Sequence, residues 1–378
     1  MQRRLSCYRA FLLAVSALAL WLVPVGGVLG ARTTYPAVIW KQPVRPNSTL
    51  CTSPDGTYFG VVAPGGRITC YALNGEIAWR QSFEGVSNLA IGRGGKSLIA
   101  FARGDEKHRR VYLLSSSGRL VWRYTPRSAV LCAGVSRDGR KGAFATSGGY
   151  IYLCSFTRER PRYRRWHLPG VPGSISFSPD GKQLVVGLGK SGGVGAYSMR
   201  GQPVWLAEGD AAKAYSARYC ATGDYVLYHG RSAAGDSSHL GILTPDGKSV
   251  WSLALGGQES KACISYPGDY VAYGYCRIVE HKTKSARQRF VRLYSLPGRR
   301  LWEQGGMLFK PYLISLTPSG HALVQDGPKS LAILDTNGRR IGNLGMPATV
   351  RFAVSAPDSG RALVYCGDGW AYLVYAGG

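Results

Sequence analysis

Short runs in which apolar and polar residues alternate recur along almost the whole chain. Tyr58-Phe59-Gly60-Val61-Val62 and Gln183-Leu184-Val185-Val186-Gly187 are two of them. Alternation with a period of two over so few residues predicts strands. From residue 31 onward nothing reads as a long amphipathic helix. A turn signature punctuates the runs: Ser53-Pro54-Asp55-Gly56, Gly92-Arg93-Gly94-Gly95, Ser136-Arg137-Asp138-Gly139 and Ser178-Pro179-Asp180-Gly181. It continues as Ala221-Thr222-Gly223-Asp224, Tyr266-Pro267-Gly268-Asp269, Thr317-Pro318-Ser319-Gly320 and Ala356-Pro357-Asp358-Ser359-Gly360. Successive turns begin 39, 44, 42, 43, 45, 51 and 39 residues apart. A second signature follows each turn: a strand, a glycine turn, then tryptophan. It ends at Trp79 and Trp122, and Trp205, Trp251 and Trp302 each stand four residues after Gly201, Gly247 and Gly298. Trp166 follows an altered segment, and the seventh repeat has Gly338 and Ile341 but no tryptophan.

A strand-only repeat of roughly 40–45 residues is the signature of propeller blades. Each repeat holds four strands, A to D. The first turn joins A to B, and an Asn-Gly or Asp-Gly turn joins C to D, supplying the positive φ angles of tight hairpins. The last repeat, from Val350 to Tyr375, provides strands A, B and C only. Val38-Ile39-Trp40-Lys41, at the other end, reads as its missing D strand. Pairing the two would close the ring and remove two exposed edges. The expected fold is all-β: an eight-bladed β-propeller of four-stranded antiparallel blades, closed by the N-terminal strand on the C-terminal blade.

The first thirty residues stand apart. Arg3, Arg4 and Arg9 precede an uncharged apolar run from Phe11 to Gly30, and Val28 and Gly30 suit a cleavage site before Ala31. Residues 1–30 read as a signal peptide or a membrane anchor, and 31–378 as a single propeller domain outside the cytoplasm. No cysteine follows the run closely, so a lipoprotein anchor is not expected.

The Gly-x-x-x-Trp elements at Gly75–Trp79, Gly118–Trp122, Gly201–Trp205, Gly247–Trp251 and Gly298–Trp302 resemble the PQQ-like (quinoprotein-type) and WD40-like extracytoplasmic β-propellers. The Ser-Pro-Asp-Gly turns sit closer to the WD40-like subset, and the resemblance covers most of residues 35–378. It implies that Trp40, Trp79, Trp122, Trp166, Trp205, Trp251 and Trp302 pack between neighbouring blades. A large flat ring also suits that wedge on physical grounds alone. In blade count the chain resembles the propeller accessory subunit of outer-membrane protein assembly, without that subunit's lipid-anchoring cysteine.

The resemblance is strong for fold and weak for chemistry. PQQ-dependent alcohol dehydrogenases hold their cofactor against a disulfide of adjacent cysteines, with calcium nearby, and no Cys-Cys pair occurs here. Of only 21 acidic residues, Asp55, Asp138, Asp180, Asp224, Asp246, Asp269 and Asp358 occupy turn positions, where Asp is favoured locally. Glu84, Glu208, Asp210 and Glu259 lie outside the turns but form no motif. The six histidines (108, 167, 229, 239, 281 and 321) are scattered, with no metal-ligand spacing. A Gly-x-Ser-x-Gly elbow is absent. The expectation is a non-enzymatic chain with no catalytic residue, cofactor or metal site. The alternative is a polymer-binding or hydrolase- or lyase-type propeller with its site at the channel mouth.

Charge brings in the candidate ligand. The formal charge is +26, and +23 without the three leader arginines. Such a field draws anionic surfaces and polymers; a basic balance also reflects a source organism's overall composition, or solubility. Three segments concentrate it. Arg158, Arg160, Arg162, Arg164 and Arg165 surround the C–D connection of repeat three. Lys107, Arg109 and Arg110 lie in the B–C loop of repeat two. His281, Lys282, Lys284, Arg287 and Arg289 lie in a lengthened B–C loop of repeat six. Repeats two and six are four apart in a ring of eight, so their loops should face each other across one mouth of the channel. The expected partner is an envelope protein or an anionic polymer or lipid surface, bound by a monomer, with no nucleic-acid role. Eight cysteines follow residue 31. Cys51 with Cys70, and Cys132 with Cys154, are expected on strands A and C of one blade, too far apart to bridge. Cys263 and Cys276 make a better pair, and the rest read as buried small apolar residues.

Overall fold

In the computed structural model the described residues are 36–377, apart from 157–162, 190–192, 208–212, 232–236, 257, 282–283 and 307–310. The leader assigned to residues 1–30 therefore lies outside them. The described residues form eight four-stranded antiparallel sheets. Their inner strands, in chain order, are Thr49–Thr52, Asn88–Ile91, Val130–Val135, Ser174–Phe177, Lys213–Tyr219, Gln258–Ile264, Tyr312–Leu316 and Val350–Ala356. Each blade packs on the next, and the inner strand of blade eight returns to that of blade one. The only helical segment among the described residues is a single 3-10 turn, Arg93–Gly95.

Closure follows the expected route. Ala37–Pro43 pairs antiparallel with Trp370–Tyr375, with Val38 opposite Val374 and Trp40 opposite Leu373. Both chain ends thereby complete blade eight.

The repeated turn is a small hydrogen-bonded device. Ser53 Oγ donates to Asp55 Oδ1 at 2.7 Å and accepts the backbone N–H of Tyr58 at 3.0 Å. The Gly56 N–H closes the turn on the Ser53 carbonyl at 3.0 Å. Ser136 with Asp138 and Ser178 with Asp180 repeat the pattern at 2.6 Å. In repeats five and six the frame opens one residue before the sequence assignment. There the closing bonds run from Gly223 to the Cys220 carbonyl and from Gly268 to the Ser265 carbonyl. The second position of the eight turns is thus Pro54, Arg93, Arg137, Pro179, Ala221, Tyr266, Pro318 and Pro357.

The core lies between blades. One cluster joins Val62, Ile68 and Trp79 of blade one to Leu89, Leu98 and Leu114 of blade two. Each fully buried aliphatic side chain contributes about 1.5–3 kcal/mol. The tryptophans extend this packing by a fixed rule: the Trp of one blade sits on the C–D turn glycine of the next. A Cβ on Gly75 would lie 2.9 Å from Trp40, one on Gly118 2.4 Å from Trp79, and one on Gly247 2.5 Å from Trp205. Trp166 on Gly201, Trp251 on Gly298 and Trp302 on Gly338 repeat it. Trp40, Trp205 and Trp302 also donate Nε1–H to a carbonyl of that same turn, at Leu73, Pro245 and Asp335. The glycine of Gly-x-x-x-Trp therefore serves the Trp of the preceding blade. Trp122 stacks on Tyr124 at 5.3 Å and lies 6.0 Å from Tyr163 of blade three. Blade seven lacks a Trp for a reason: strands C and D of blade eight are the two chain ends, so no C–D turn exists there to receive one.

Two expectations need correction. The lengthened B–C loop of repeat six is an extended β-hairpin, with strands Tyr270–His281 and Lys284–Ser295. Its twelve-residue strands pair along their whole length, so Lys284, Arg287 and Arg289 stand on a strand. Cys263 and Cys276 do not bridge. Cys263 lies opposite Ala272 and Cys276 opposite Gln258, about 13 Å of strand away from register. All eight cysteines are free.

Candidate functional site: the central channel and its charged mouth

A/B turns and C/D turns share one face of the disc, and B–C loops share the other. The channel between the inner strands encloses a cavity of about 500 Å3 at the A/B-turn end. Its lining is mixed: Leu89, Ile91, Val135, Phe177 and Val354 stand beside Thr52, Asn88, Ser176 and Ser355. Its mouth is charged. Arg93, Arg137, Arg218 and Asp358 line it.

Turn geometry sets this arrangement. The second turn position points into the mouth: Pro54, Pro179, Ala221 and Pro357 line the cavity there, and Arg93 and Arg137 replace proline at two of the eight sites. From blade two, Arg93 meets Asp358 Oδ2 of blade eight at 3.0 Å. From blade three, Arg137 donates to the Ala221 carbonyl of blade five at 2.8 Å and to the Tyr266 hydroxyl of blade six at 3.2 Å. Two guanidinium arms thus straddle the mouth. Arg218, on the inner strand of blade five, lies deeper, and its Nη2 is buried with no hydrogen-bond partner among the described residues. Asp55 is already engaged by the Ser53 and Thr57 hydroxyls and the Gly94 N–H.

Burial pushes the Asp358 carboxyl above the usual carboxylate range, since only 15% of the side chain is exposed. Arg93, Arg137 and Arg218 all pull it back toward ionisation, and Asp55 pushes it up. Three arginines therefore lie within electrostatic reach of one carboxylate. Lys261, on the inner strand of blade six, donates Nζ–H to the Ile314 carbonyl. Burial lowers its pKa, and Arg218 lowers it further.

The basic segments singled out in the sequence lie elsewhere. Lys107, Arg109 and Arg110 occupy the B–C loop of blade two, on the face opposite the charged mouth. Much of their charge is answered locally. Arg110 pairs with Glu84 at 2.6 Å, Arg109 donates to the Arg127 carbonyl, and His108 pairs with Asp105 at 2.8 Å. Arg289 lies over the Tyr312 ring at 5.8 Å. Lys282 is outside the described residues, as are Arg158, Arg160, Arg162, Glu208 and Asp210. Arg164 and Arg165 stand on the D strand of blade three, with Arg165 over Tyr150 at 5.6 Å. Among the described residues no three His, Cys, Asp or Glu side chains group to hold a metal.

No protein-family model matches the chain, and no curated protein sequence matches it. Solved structures do. A Dos1 propeller aligns with a TM-score of 0.67 at 14% identity, covering 91% of this chain and 95% of its own. BamB from Moraxella catarrhalis aligns with a TM-score of 0.61 at 16% identity, covering 90% and 97%. Hydrazine synthase from Kuenenia stuttgartiensis aligns with a TM-score of 0.55 at 11% identity, covering 77% and 95%. These likenesses establish the β-propeller fold. One of the three is an enzyme by name, so the fold alone leaves function to the site.

Proposed function

We propose that the chain is an exported, non-enzymatic β-propeller that serves as a binding scaffold in the cell envelope. The observation that carries this reading is the make-up of the channel. Glycoside hydrolysis ordinarily needs two placed carboxylates. The described lining offers one, Asp358, already paired with Arg93, and no histidine. What the fold does offer is a rigid ring, braced by Trp-on-glycine contacts, with loops displayed on two faces. The arginine- and lysine-bearing B–C elements of blades two and six stand four blades apart on one face, where they would meet an acidic protein surface, polymer or lipid. The basic and apolar pattern of residues 1–30 supports export.

Cell fractionation with N-terminal sequencing tests the export step. A mature chain starting at Ala31, or a full-length chain held in the membrane fraction, is expected; a full-length soluble cytosolic chain refutes it. Affinity capture from envelope extract at low and at high salt tests the scaffold. One defined protein retained at both salts, and rebinding stoichiometrically when purified, is expected. Turnover of an envelope polymer by the purified chain would refute the non-enzymatic reading.

A further inference from the structure

We infer that the A/B-turn end of the channel is a binding site for a small organic anion: an apolar body in the cavity and a phosphate or carboxylate head between Arg137 and Arg218.

Buried or half-buried guanidinium groups are ordinarily paired with an anion. Arg93 has Asp358 and Arg292 has Glu303, whereas half-buried Arg361 is held by the Asp55 and Gly56 carbonyls. Among the described residues Arg137 bonds neutral oxygens, the Ala221 carbonyl and the Tyr266 hydroxyl. Arg218 has a buried Nη2 with no acceptor among the described residues. Against this group the cavity lining sets Asp358 alone, and Arg93 already answers it. Among the described residues the lining thus sets three arginines against one carboxylate around a partly open cavity. An anion placed there gains the charge-assisted hydrogen bonds that the arginines lack.

Size and wall chemistry narrow the ligand. About 500 Å3 lies within the usual range for small-molecule sites. Leu89, Ile91, Val135 and Phe177 give the mixed lining apolar stretches, and an inorganic anion would leave most of the volume unfilled. The arms of Arg93 and Arg137 cross the mouth to blades eight, five and six, which favours a compact molecule lying beneath them over a chain threading through. This site is on the opposite face from the basic B–C elements, so it is independent of the scaffold reading.

Titration calorimetry on the full chain tests it, with phenyl phosphate and 3-phenylpropionate as the two head-group probes and inorganic phosphate for the head alone. Saturable binding of at least one aryl probe, tighter than inorganic phosphate, is expected. Arg137→Ala and Arg218→Gln should each weaken it about tenfold, the loss of one charge-assisted contact. Asp358→Asn should tighten it, because it removes the competing carboxylate, and this variant keeps the test decisive where an arginine variant fails to fold. Arg123→Ala, on the outer strand of blade two, should bind as the parent does. The proposal is overturned by equal binding in the parent, Arg137→Ala and Arg218→Gln, which would mean adsorption to the overall charge. It is overturned equally by no saturable binding of either aryl probe at millimolar concentration.

Discussion

Gly118→Ala measures how much of the ring's stability resides in seating a tryptophan on the next blade's turn. Gly118 has φ of +74°, and a Cβ there would lie 2.4 Å from the Trp79 ring, which is 8% exposed. Two costs add. An L-residue in the left-handed region costs about 1–2 kcal/mol. Displacing a packed ring costs a further 1–3 kcal/mol or so. Gly65 separates them, because its φ is +84° but a Cβ there meets nothing within 4 Å. Gly65→Ala should therefore cost about 1–2 kcal/mol and Gly118→Ala about 2–5 kcal/mol. Any gain from a stiffer unfolded chain is common to both and cancels in the difference. Urea unfolding followed by far-UV circular dichroism gives the two values. Trp79→Ala completes the cycle: in that background the excess cost at position 118 should vanish, leaving only the backbone term. The reasoning fails if the two alanine variants lose the same stability, or if the excess at Gly118 survives removal of the Trp79 ring.

Other consequences can be checked more briefly. Burial pushes the thiols of Cys51, Cys70, Cys132, Cys154 and Cys366 up to about 12, so all five should resist a thiol reagent at pH 8 until the chain unfolds. Rapid native-state labelling at any of them, located by peptide mapping, would contradict this. The Ser178 hydroxyl holds the Asp180 carboxyl below its usual value of 3.8. A depressed folded pKa means stability that is present above pH 3.8 and lost as pH falls through the lower folded value. Asp180→Asn should therefore lower the melting temperature at pH 7 and converge with the parent near pH 2. Trp40 holds the closing strand through its Nε1–H bond to Leu73 at 2.9 Å and edge contact with Phe59 at 5.5 Å. Trp40→Ala should cost about 3 kcal/mol in urea unfolding and expose the N-terminal strand to protease. Arg110→Ala should shift the unfolding midpoint by no more than about 0.5 kcal/mol, since both it and Glu84 are largely exposed. Its effect should appear instead as weaker low-salt adsorption to anionic vesicles.

Why the fold was legible in the sequence and the charged mouth was not is a matter of range. Blade count, strand order and closure rest on local chemistry repeated eight times. In repeats one, three and four a serine, an aspartate and a glycine close the turn locally, and in every repeat the fourth residue's N–H returns to the first residue's carbonyl. Even the absent tryptophan of blade seven follows from knowing that blade eight is built from both chain ends. The mouth follows a different logic. It joins Arg93, Arg137, Arg218, Tyr266 and Asp358, drawn from five blades and separated by up to 265 residues along the chain. Charge density along the sequence points instead to Lys107–Arg110 and the sixth-repeat hairpin, where local acids and carbonyls already answer part of the charge. The usable signal was a substitution within the repeat. Arginine replaces proline at the second turn position in repeats two and three, and that position faces the channel. Reading it requires the correct frame of every turn, and in repeats five and six the glycine-aspartate pair draws the frame one residue late, hiding Tyr266. A repeat protein thus writes its fold in what its repeats share, and its site in the positions where one repeat departs from the others.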